Sequence, residues 1–407
     1  MTAEGIAKGV GPKRRLGIGA VVAGVALAFS PAWPGATASA LGASGWSVQR
    51  LPVPSSALTV PLSCSSSTAC TAVATDYPLP SSDRDVLLAV RWNGQGWSRQ
   101  LMAEPSPDST ALISGISCPS ASACVAVGGT STGDPPGPYV PLVERWDGSA
   151  WSTETVPAPA GGGLSTRLTG VSCTSPSACT AVGQSASRNP RRPTTSLVER
   201  FDGTTWSIEH AAAGPLVAVS CTSQTACTAL GNSAHQTLAE SWDGRRWSIE
   251  RGPHPRPFGG PDGDNQLGSV SCSSRDTCVA VGYSAWGSVF NAVRITLAER
   301  WNGSRWSAQP TPNPIRLDAL NGVSCSSAGS CVAVGDSSNR SGNATLPLVE
   351  RWRRGRWSVL PTPRRLSTGK FADSTLLGVA CFADDRCLAI GDAQGGPFAA
   401  QFASAAG

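Results

Sequence analysis

The chain is poor in charge and in the side chains that metal sites and hydrolases use most. Only 14% of its 407 residues are charged, and it has three histidines, three tyrosines and two methionines. It also lacks a nucleophile motif, a phosphate-binding loop and a two-histidine metal motif. We therefore expect no cofactor and no metal, and the common phosphoryl-transfer and zinc-hydrolase classes are excluded.

The net positive charge is concentrated at the N-terminus. The formal charge is +5, but four positive residues and one negative residue, at positions 8, 13, 14, 15 and 4, lie within the first 40. Without them the charge is +2. A nucleic-acid partner calls for a basic patch on the folded domain, so we expect no nucleic-acid binding.

Residues 1–40 follow the pattern of an export signal. Lys13-Arg14-Arg15 precede an uncharged apolar run, residues 16–29, and a small-residue stretch that ends at Ala40. This pattern predicts a signal peptide cleaved after Ala40 or Ala38. An uncleaved anchor is the alternative, but the run of about 14 residues is shorter than the roughly 20 that span a bilayer. We expect a mature extracellular or envelope-associated chain with no membrane span.

The 14 cysteines define the architecture. They form seven pairs with five residues between the partners, and the pairs recur every 48 to 56 residues. The pairs are Cys64/Cys70, Cys118/Cys124, Cys173/Cys179, Cys221/Cys227, Cys272/Cys278, Cys325/Cys331 and Cys381/Cys387. A period of this length indicates a propeller, a solenoid or an array. In an exported chain with an even count, each pair is predicted to be a disulfide across a hairpin, not a metal site.

Each repeat contains four short predicted strands: one before the cysteine pair, one after it, and two around a tight tryptophan turn. An all-β, seven-bladed β-propeller with four-stranded antiparallel blades follows from this count. A lone fourth strand at Trp46 has no first three, and the last repeat lacks its fourth. We therefore expect the N-terminal strand to complete the last blade. Residues 41–407 would form one domain, expected to be a monomer.

Two repeated features favour packing over binding. The Asn/Asp-Gly turn that joins two aromatic residues, as in Trp92…Trp97, recurs in nearly every repeat. Carbohydrate stacking is an alternative, but a ring present in every blade indicates cross-strand packing. Third strands carry Glu144, Glu199, Glu240, Glu299 and Glu350. Buried carboxylates need partners, so we expect each of these to pair with a neighbouring blade.

The loops between second and third strands vary most, and binding residues concentrate in such loops. They lie on the same face as the Pro-rich blade junctions. The fifth loop holds Tyr283, Trp286, Phe290 and Arg294, including an off-pattern tryptophan. The third holds Arg188, Arg191 and Arg192, and the second holds Tyr139. These residues are the candidate ligand contacts, with a solvated loop as the alternative for the arginines.

The repeat Leu-Val-Glu-Arg-Trp-Asp/Asn-Gly-x-x-Trp-Ser with its cysteine hairpin resembles a group of exported actinobacterial repeat proteins. At the level of fold it is similar to kelch, tectonin-type and Asp-box propellers. In the Asp-box motif the Asp is one residue removed from the Gly, whereas Asp202-Gly203 are adjacent. The Asp-box resemblance would imply a sialidase-like glycosidase, and no catalytic triad can be assigned to it here.

We interpret the chain as a secreted, non-enzymatic propeller that binds an extracellular carbohydrate, cell-wall polymer or protein through its variable loops. A glycoside-acting enzyme is the alternative, and it would need carboxylates that converge in the central channel. A purely structural envelope protein is the third hypothesis, and it would have no ligand-sized pocket.

Overall fold

The seven cysteine repeats fold into seven four-stranded antiparallel sheets, which are the blades of a β-propeller. The structure is a computed structural model. It describes residues 45–76, 86–103, 109–132, 137–159, 164–187, 193–211, 214–233, 236–250, 263–287, 293–315, 317–338, 344–362, 365–366, 369–370, 373–383 and 386–403. The export signal lies outside the described residues. The predicted seven-bladed propeller is confirmed.

Strands run outward from the channel in chain order in blades 1 to 6. Blade 1 comprises β2 (Leu58–Ser66), β3 (Ala69–Asp76), β4 (Val86–Trp92) and β5 (Trp97–Leu101). Blade 2 comprises β6 (Ser109–Ser120), β7 (Ala123–Thr132), β8 (Val140–Trp146) and β9 (Trp151–Glu154). Blade 3 comprises β10 (Leu164–Ser175), β11 (Ala178–Ser187), β12 (Thr195–Phe201) and β13 (Trp206–Glu209). Blade 4 comprises β14 (Leu216–Ser223), β15 (Ala226–Ser233), β16 (Gln236–Trp242) and β17 (Trp247–Ile249).

Blade 5 comprises β18 (Asp264–Ser274), β19 (Thr277–Trp286), β20 (Val293–Trp301) and β21 (Trp306–Gln309). Blade 6 comprises β22 (Asp318–Ser327), β23 (Ser330–Ser338), β24 (Thr345–Arg353) and β25 (Arg356–Val359). A two-residue pair follows, β26 (Arg365–Leu366) with β27 (Gly369–Lys370). Blade 7 comprises β28 (Thr375–Cys381), β29 (Arg386–Asp392), β30 (Phe398–Ala403) and the N-terminal strand β1 (Trp46–Arg50).

The first and last strands of the described chain close the ring, as predicted. β1 pairs antiparallel with β30, with Trp46 opposite Phe402 and Arg50 opposite Phe398. The rings of Trp46 and Phe402 stack at a centroid distance of 4.2 Å. The first and last described strands therefore share one sheet.

All 14 cysteines form the seven predicted disulfides. Each bridge joins directly opposed positions of the first and second strands, with Cα atoms 3.9 to 4.1 Å apart. Such short separations are typical of non-hydrogen-bonded antiparallel pairs. The bridges therefore hold the hairpins at one end of each blade.

The tryptophan turns also form as predicted. Asp147 accepts hydrogen bonds from the backbone N–H groups of Ser149 and Ala150, at 2.7 and 2.9 Å. Gly148 takes a φ of 102°, which favours glycine. The two rings that flank each turn lie 5.4 to 5.8 Å apart in blades 1 to 6. They pack as cross-strand aromatic pairs, so packing accounts for the repeated rings.

Among the described residues, seven of the eight hydrophobic clusters are each shared by two adjacent blades, and the small eighth one, Ala57, Ala74 and Leu88, lies at blade 1. Strand alternation produces this arrangement. On β8, Leu142 and Trp146 face blade 1, whereas Val143 faces blade 3. Because Glu144 and Arg145 alternate in the same way, the glutamates face the preceding blade and the arginines face the next one.

The second cysteine of each predicted disulfide is a core residue, as expected of a bridge that stabilises its blade. Each belongs to the hydrophobic cluster shared with the preceding blade, since it lies on the second strand, inside the sheet. Their exposed fractions are only 1 to 4%. They are Cys70, Cys124, Cys179, Cys227, Cys278, Cys331 and Cys387. The predicted bonds are confirmed, and their burial agrees with a structural role in the blades.

The prediction that third-strand glutamates pair with a neighbouring blade is correct for Glu144, Glu299 and Glu350 and wrong for Glu199. Glu144 accepts a hydrogen bond from the backbone N–H of Ala103, which follows the last strand of blade 1. Glu299 and Glu350 accept hydrogen bonds from the preceding blade, from Thr237 at 3.1 Å and Thr296 at 3.3 Å. Glu199 is fully buried, and neither carboxylate oxygen has a partner among the described residues. The reason is local: the position that holds threonine beside Glu299 and Glu350 is Pro141 in blade 2, which has no hydroxyl to donate.

Candidate functional site

The propeller has two unlike faces. We call the face with the second-to-third loops and the blade junctions the upper face, and the face with the cysteine hairpins and tryptophan turns the lower face. The lower face repeats the same contacts from blade to blade, whereas the upper face carries different residues in each blade. Variation on a rigid scaffold places the candidate site on the upper face.

The candidate residues predicted from the sequence do not all come together. Arg188, Arg191, Arg192 and Phe290 lie outside the described residues. Tyr139 lies at the edge between blades 2 and 3, where its carbonyl accepts a hydrogen bond from the backbone N–H of Thr166 at 2.8 Å. That position belongs to a different pair of blades from the fifth loop.

Three candidates lie on one hairpin of blade 5. Tyr283 and Trp286 are on β19, and Arg294 is on β20, where the backbone pairs with Ala285. The guanidinium of Arg294 lies over the ring of Tyr283, 5.6 Å from its centroid. Trp286 is half-buried at the upper end of β19, opposite Val293. Of the residues predicted in this loop, Tyr283 and Arg294 therefore lie side by side.

Arg294 connects this hairpin to blade 6. Its Nη2 atom lies 2.5 Å from Oδ2 of Asp336, and one third of the arginine side chain is exposed. The amide of Asn321 donates to Oδ1 of Asp336 at 3.2 Å. Thr375, in blade 7, donates to the same oxygen at 3.5 Å. We call Tyr283, Arg294, Asp336, Asn321 and Thr375 the Arg294 cluster; it spans three blades.

Sequence reasoning missed the acidic and amide members of this cluster. Asp336 directly follows the glycine that ends the apolar part of the second strand. The same position varies in other blades, for example as Gln184, Asn232 and Asp392. A position that varies directly after a repeated glycine is the sequence signal that could have identified Asp336 as a candidate site residue. Burial raises the pKa of Asp392 to about 6, so this position also holds a perturbed carboxylate in blade 7.

The Arg294 cluster borders the central channel, a cavity of about 510 Å³. The first strand of every blade lines it, and an irregularity in each first-to-second-strand ladder directs one extra residue inward. Tyr283 and Asn321 belong both to the lining and to the cluster. The cavity is ligand-sized, and its polar side chains are concentrated on blades 5 and 6.

The channel does not offer the carboxylates that the glycosidase alternative calls for. Among the described residues that line it, none is charged. The strongly perturbed glutamates lie between blades instead. Burial raises the pKa of Glu144 and Glu299 to about 7, and that of Glu199 and Glu350 to about 8. They occupy separate interfaces, one per blade, and do not form an acid–base pair.

Two absences within the described residues bear on the site. No helix in this part of the chain is long and apolar enough to span a membrane. Within the same residues, no three His, Cys, Asp or Glu side chains are grouped closely enough to hold a metal ion.

The fold is shared with known β-propellers. No protein-family model and no curated protein matches the chain. The crystal structure of the RRP9 WD40 repeats is similar at a TM-score of 0.55 and 10% identity, covering 91% of this chain and 99% of that one. The structure of U3-55K is similar at a TM-score of 0.53 and 10% identity, covering 88% of this chain and 98% of that one. The structure of YCF48 bound to D1 peptide is similar at a TM-score of 0.51 and 12% identity, covering 91% of this chain and 100% of that one. At these identities the similarity establishes the propeller fold.

Proposed function

We propose that this protein is an exported binding propeller that recognises an extracellular carbohydrate or cell-wall polymer through its upper face. The Arg294 cluster carries the proposal. It is the place where side chains from three blades depart from the repeat and meet at the mouth of a ligand-sized cavity. A rigid scaffold with a variable, convergent polar group is the usual form of a binding site.

The chemistry of the cluster suits a polyhydroxylated ligand. The paired guanidinium and carboxylate of Arg294 and Asp336 offer donors and acceptors side by side, as sugar hydroxyls need. Tyr283 and Trp286 add aromatic surface, on which an apolar sugar face can pack. The cavity below the cluster supports a binding role over a purely structural one, for which no ligand-sized pocket is expected.

A protein ligand is the second candidate. Propellers are common protein-binding scaffolds, and the YCF48 structure contains a bound D1 peptide. At 12% identity that complex supports the fold and not the ligand. A peptide library therefore belongs in the same experiment as the glycans.

Export is part of the proposal. Seven disulfides are consistent with an oxidising compartment. We propose that residues 1–40 are removed as a signal peptide, that residues 41–407 form a single monomeric domain outside the cell, and that the chain is one of the exported actinobacterial repeat proteins its repeat resembles. Intact mass of the secreted product should place its N-terminus after Ala38 or Ala40; an uncleaved product would favour the anchor alternative.

The test is binding of purified residues 41–407 to an array of glycans and cell-wall polysaccharides. The unmodified protein is compared with Arg294→Ala and Trp286→Ala. Arg353→Ala removes an exposed arginine from the lower face and is the matched control. We expect a carbohydrate signal that both upper-face variants weaken by about tenfold or more and the control does not.

Other outcomes separate the alternatives. A signal that survives both upper-face substitutions would overturn the proposed site. A silent glycan array, together with peptide binding that Arg294→Ala abolishes, would change the ligand class to protein. Release of free sugar from a bound glycan would show the glycosidase activity for which the described channel provides no carboxylate pair.

A further inference from the structure

Blades 1 to 4 are linked on the lower face by a repeated arginine contact. The third-strand arginine of one blade lies over the aromatic ring that ends the third strand of the next blade. This occurs as Arg91 over Trp146 at 4.5 Å, Arg145 over Phe201 at 4.2 Å, and Arg200 over Trp242 at 4.4 Å. A guanidinium on an aromatic face is a stabilising cation–π contact.

Each of these arginines also has polar partners. Arg145 donates to the carbonyl of Pro176, in the next cysteine hairpin, at 3.0 Å, and forms an ion pair with Glu154 of its own blade. Arg200 donates to the carbonyl of Gln224, in the corresponding place, at 2.8 Å. The guanidinium receptor therefore consists of a ring and a hairpin carbonyl from the next blade. In blades 2 and 3 a fourth-strand glutamate, Glu154 or Glu209, is its third part, whereas blade 1 has Gln100 there.

Between blades 4 and 5 the receptor is present and its arginine is missing. Ser241 occupies the arginine position, while Trp301, the hairpin residue Arg275 and the fourth-strand Glu250 all remain. A cavity of about 220 Å³ lies here, and these four residues line it. This volume is well above the ~30 Å³ that one water takes in the liquid, so the space can hold a ligand group.

The ring and the carboxylate face this cavity. No cation lies over Trp301 among the described residues, and its exposed fraction is 9%, against 4% for Trp146 and 5% for Trp242. The hydroxyl of Ser241 donates to Oε1 of Glu250. Glu250 thus retains a carboxylate oxygen for a guanidinium, in the role that Glu154 has towards Arg145.

The charges around the cavity also favour a cation. Glu250 and Asp276 are negative and Arg275 is positive, which leaves one net negative charge on the lining. Hydrogen bonds from the backbone N–H groups of Arg246 and Arg245 lower the pKa of Asp243, on the tryptophan turn of blade 4, and the charges of Arg246 and Arg275 contribute further. The Arg275 side chain therefore lies on the side of that turn, and its backbone carbonyl holds the receptor position.

The interface between blades 7 and 1 is an internal comparison. There Gln401 replaces the arginine, and the cavity has about 90 Å³. Volume alone does not mark an empty receptor, since a cavity of about 300 Å³ lies beside Arg200, where the arginine is in place. The residue that corresponds to Glu250 is Gln49, so this interface lacks the carboxylate. The sequence keeps the glutamate without its arginine in blade 4 alone.

We propose that the cavity between blades 4 and 5 binds a guanidinium group, supplied by an arginine side chain of a protein segment or by a small guanidinium compound. The group would lie on Trp301, donate to the Arg275 carbonyl and pair with Glu250. This site is on the lower face, so it is separate from the proposed upper-face function.

The test titrates the disulfide-bonded protein with Nα-acetyl-L-arginine amide and follows the tryptophan indole signals by NMR. Nα-acetyl-L-citrulline amide is the uncharged control probe. We expect the Trp301 signal to move with the arginine probe and not with the citrulline probe. Ser241→Arg should fill the cavity and weaken binding by about tenfold or more. Gln401→Arg adds the same charge at the other interface and should leave binding unchanged.

Two further results decide the outcome. Glu250→Gln should weaken the arginine probe while the protein keeps its melting temperature within the range of the Gln401→Arg control. A blocked Gly-Gly-Arg-Gly-Gly peptide that binds more tightly than the single residue would assign the site to a protein segment; equal binding would assign it to a small guanidinium compound. Equal binding of the citrulline probe, an unmoved Trp301 signal, or full binding by Ser241→Arg would overturn the proposal.

Discussion

Glu199 offers the sharpest test of how the blades are packed. Its carboxylate is buried between blades 2 and 3, with no partner for either oxygen among the described residues. Burial raises its pKa from the ordinary 4.5 to about 8. We expect Glu199→Gln, which keeps the shape and removes the titration, to stabilise the protein at neutral pH.

The pKa values of Glu199 in the unfolded and folded states determine how much stability the carboxylate costs. Below pH 4.5 the glutamate is protonated in both the folded and the unfolded states, so it does not oppose folding. Between pH 4.5 and about 8 the unfolded state releases the proton and the folded state retains it, so stability falls as pH rises. At about 1.4 kcal/mol per pH unit, the free energy of unfolding lost by pH 7 is about 3 kcal/mol. Glu199→Gln should recover up to that amount at pH 7 and little at pH 4.

Urea denaturation at a series of pH values measures this effect. Pro141→Thr is an independent route, because it restores the hydroxyl that Thr237 provides to Glu299. An identical pH profile for Glu199→Gln and the unmodified protein would refute the reasoning.

Three further predictions concern the ring. Deletion of β1 unpairs β30 and should strongly lower the melting temperature; an unchanged value would argue against closure. Replacing Cys221 and Cys227 together by serine should cost about 2 kcal/mol in denaturant unfolding, and no loss would show that the bridge is dispensable. Arg145→Ala should cost about 1–2 kcal/mol, since it removes the contact with Phe201 and the ion pair with Glu154. Arg145→Lys should not restore it, because lysine cannot reproduce the planar fork; full rescue would contradict this role.

The sequence predicted the fold because its signals are local and repeated. The cysteine spacing determined the hairpin, the Asn/Asp-Gly turn determined the outer strand pair, and the unmatched strand at Trp46 determined the closure. Each of these three predictions depends on residues within about one repeat, and the seven copies of the repeat make the pattern easy to detect. Strand alternation also predicted that Leu142 and Val143 face opposite neighbours.

The contacts between blades were less predictable. Arg294 and Asp336 are 42 residues apart and meet because two blades lie side by side. Glu199 lacks a partner among the described residues because the preceding blade has Pro141 at the threonine position. The guanidinium receptor between blades 4 and 5 lacks its arginine because Ser241 occupies that position. Each of these is a departure from the repeat at one position, and its consequence appears only when the neighbouring blade is in place.

Hydrogen–deuterium exchange with the strongest ligand from the glycan or peptide array tests the central claim most directly. Recognition by the upper face predicts slower amide exchange around Tyr283 and Arg294 when the ligand is bound, with the cysteine hairpins of blades 1 to 3 unchanged. Protection confined to the lower face, with the upper ends of β19 and β20 unaffected, would contradict it.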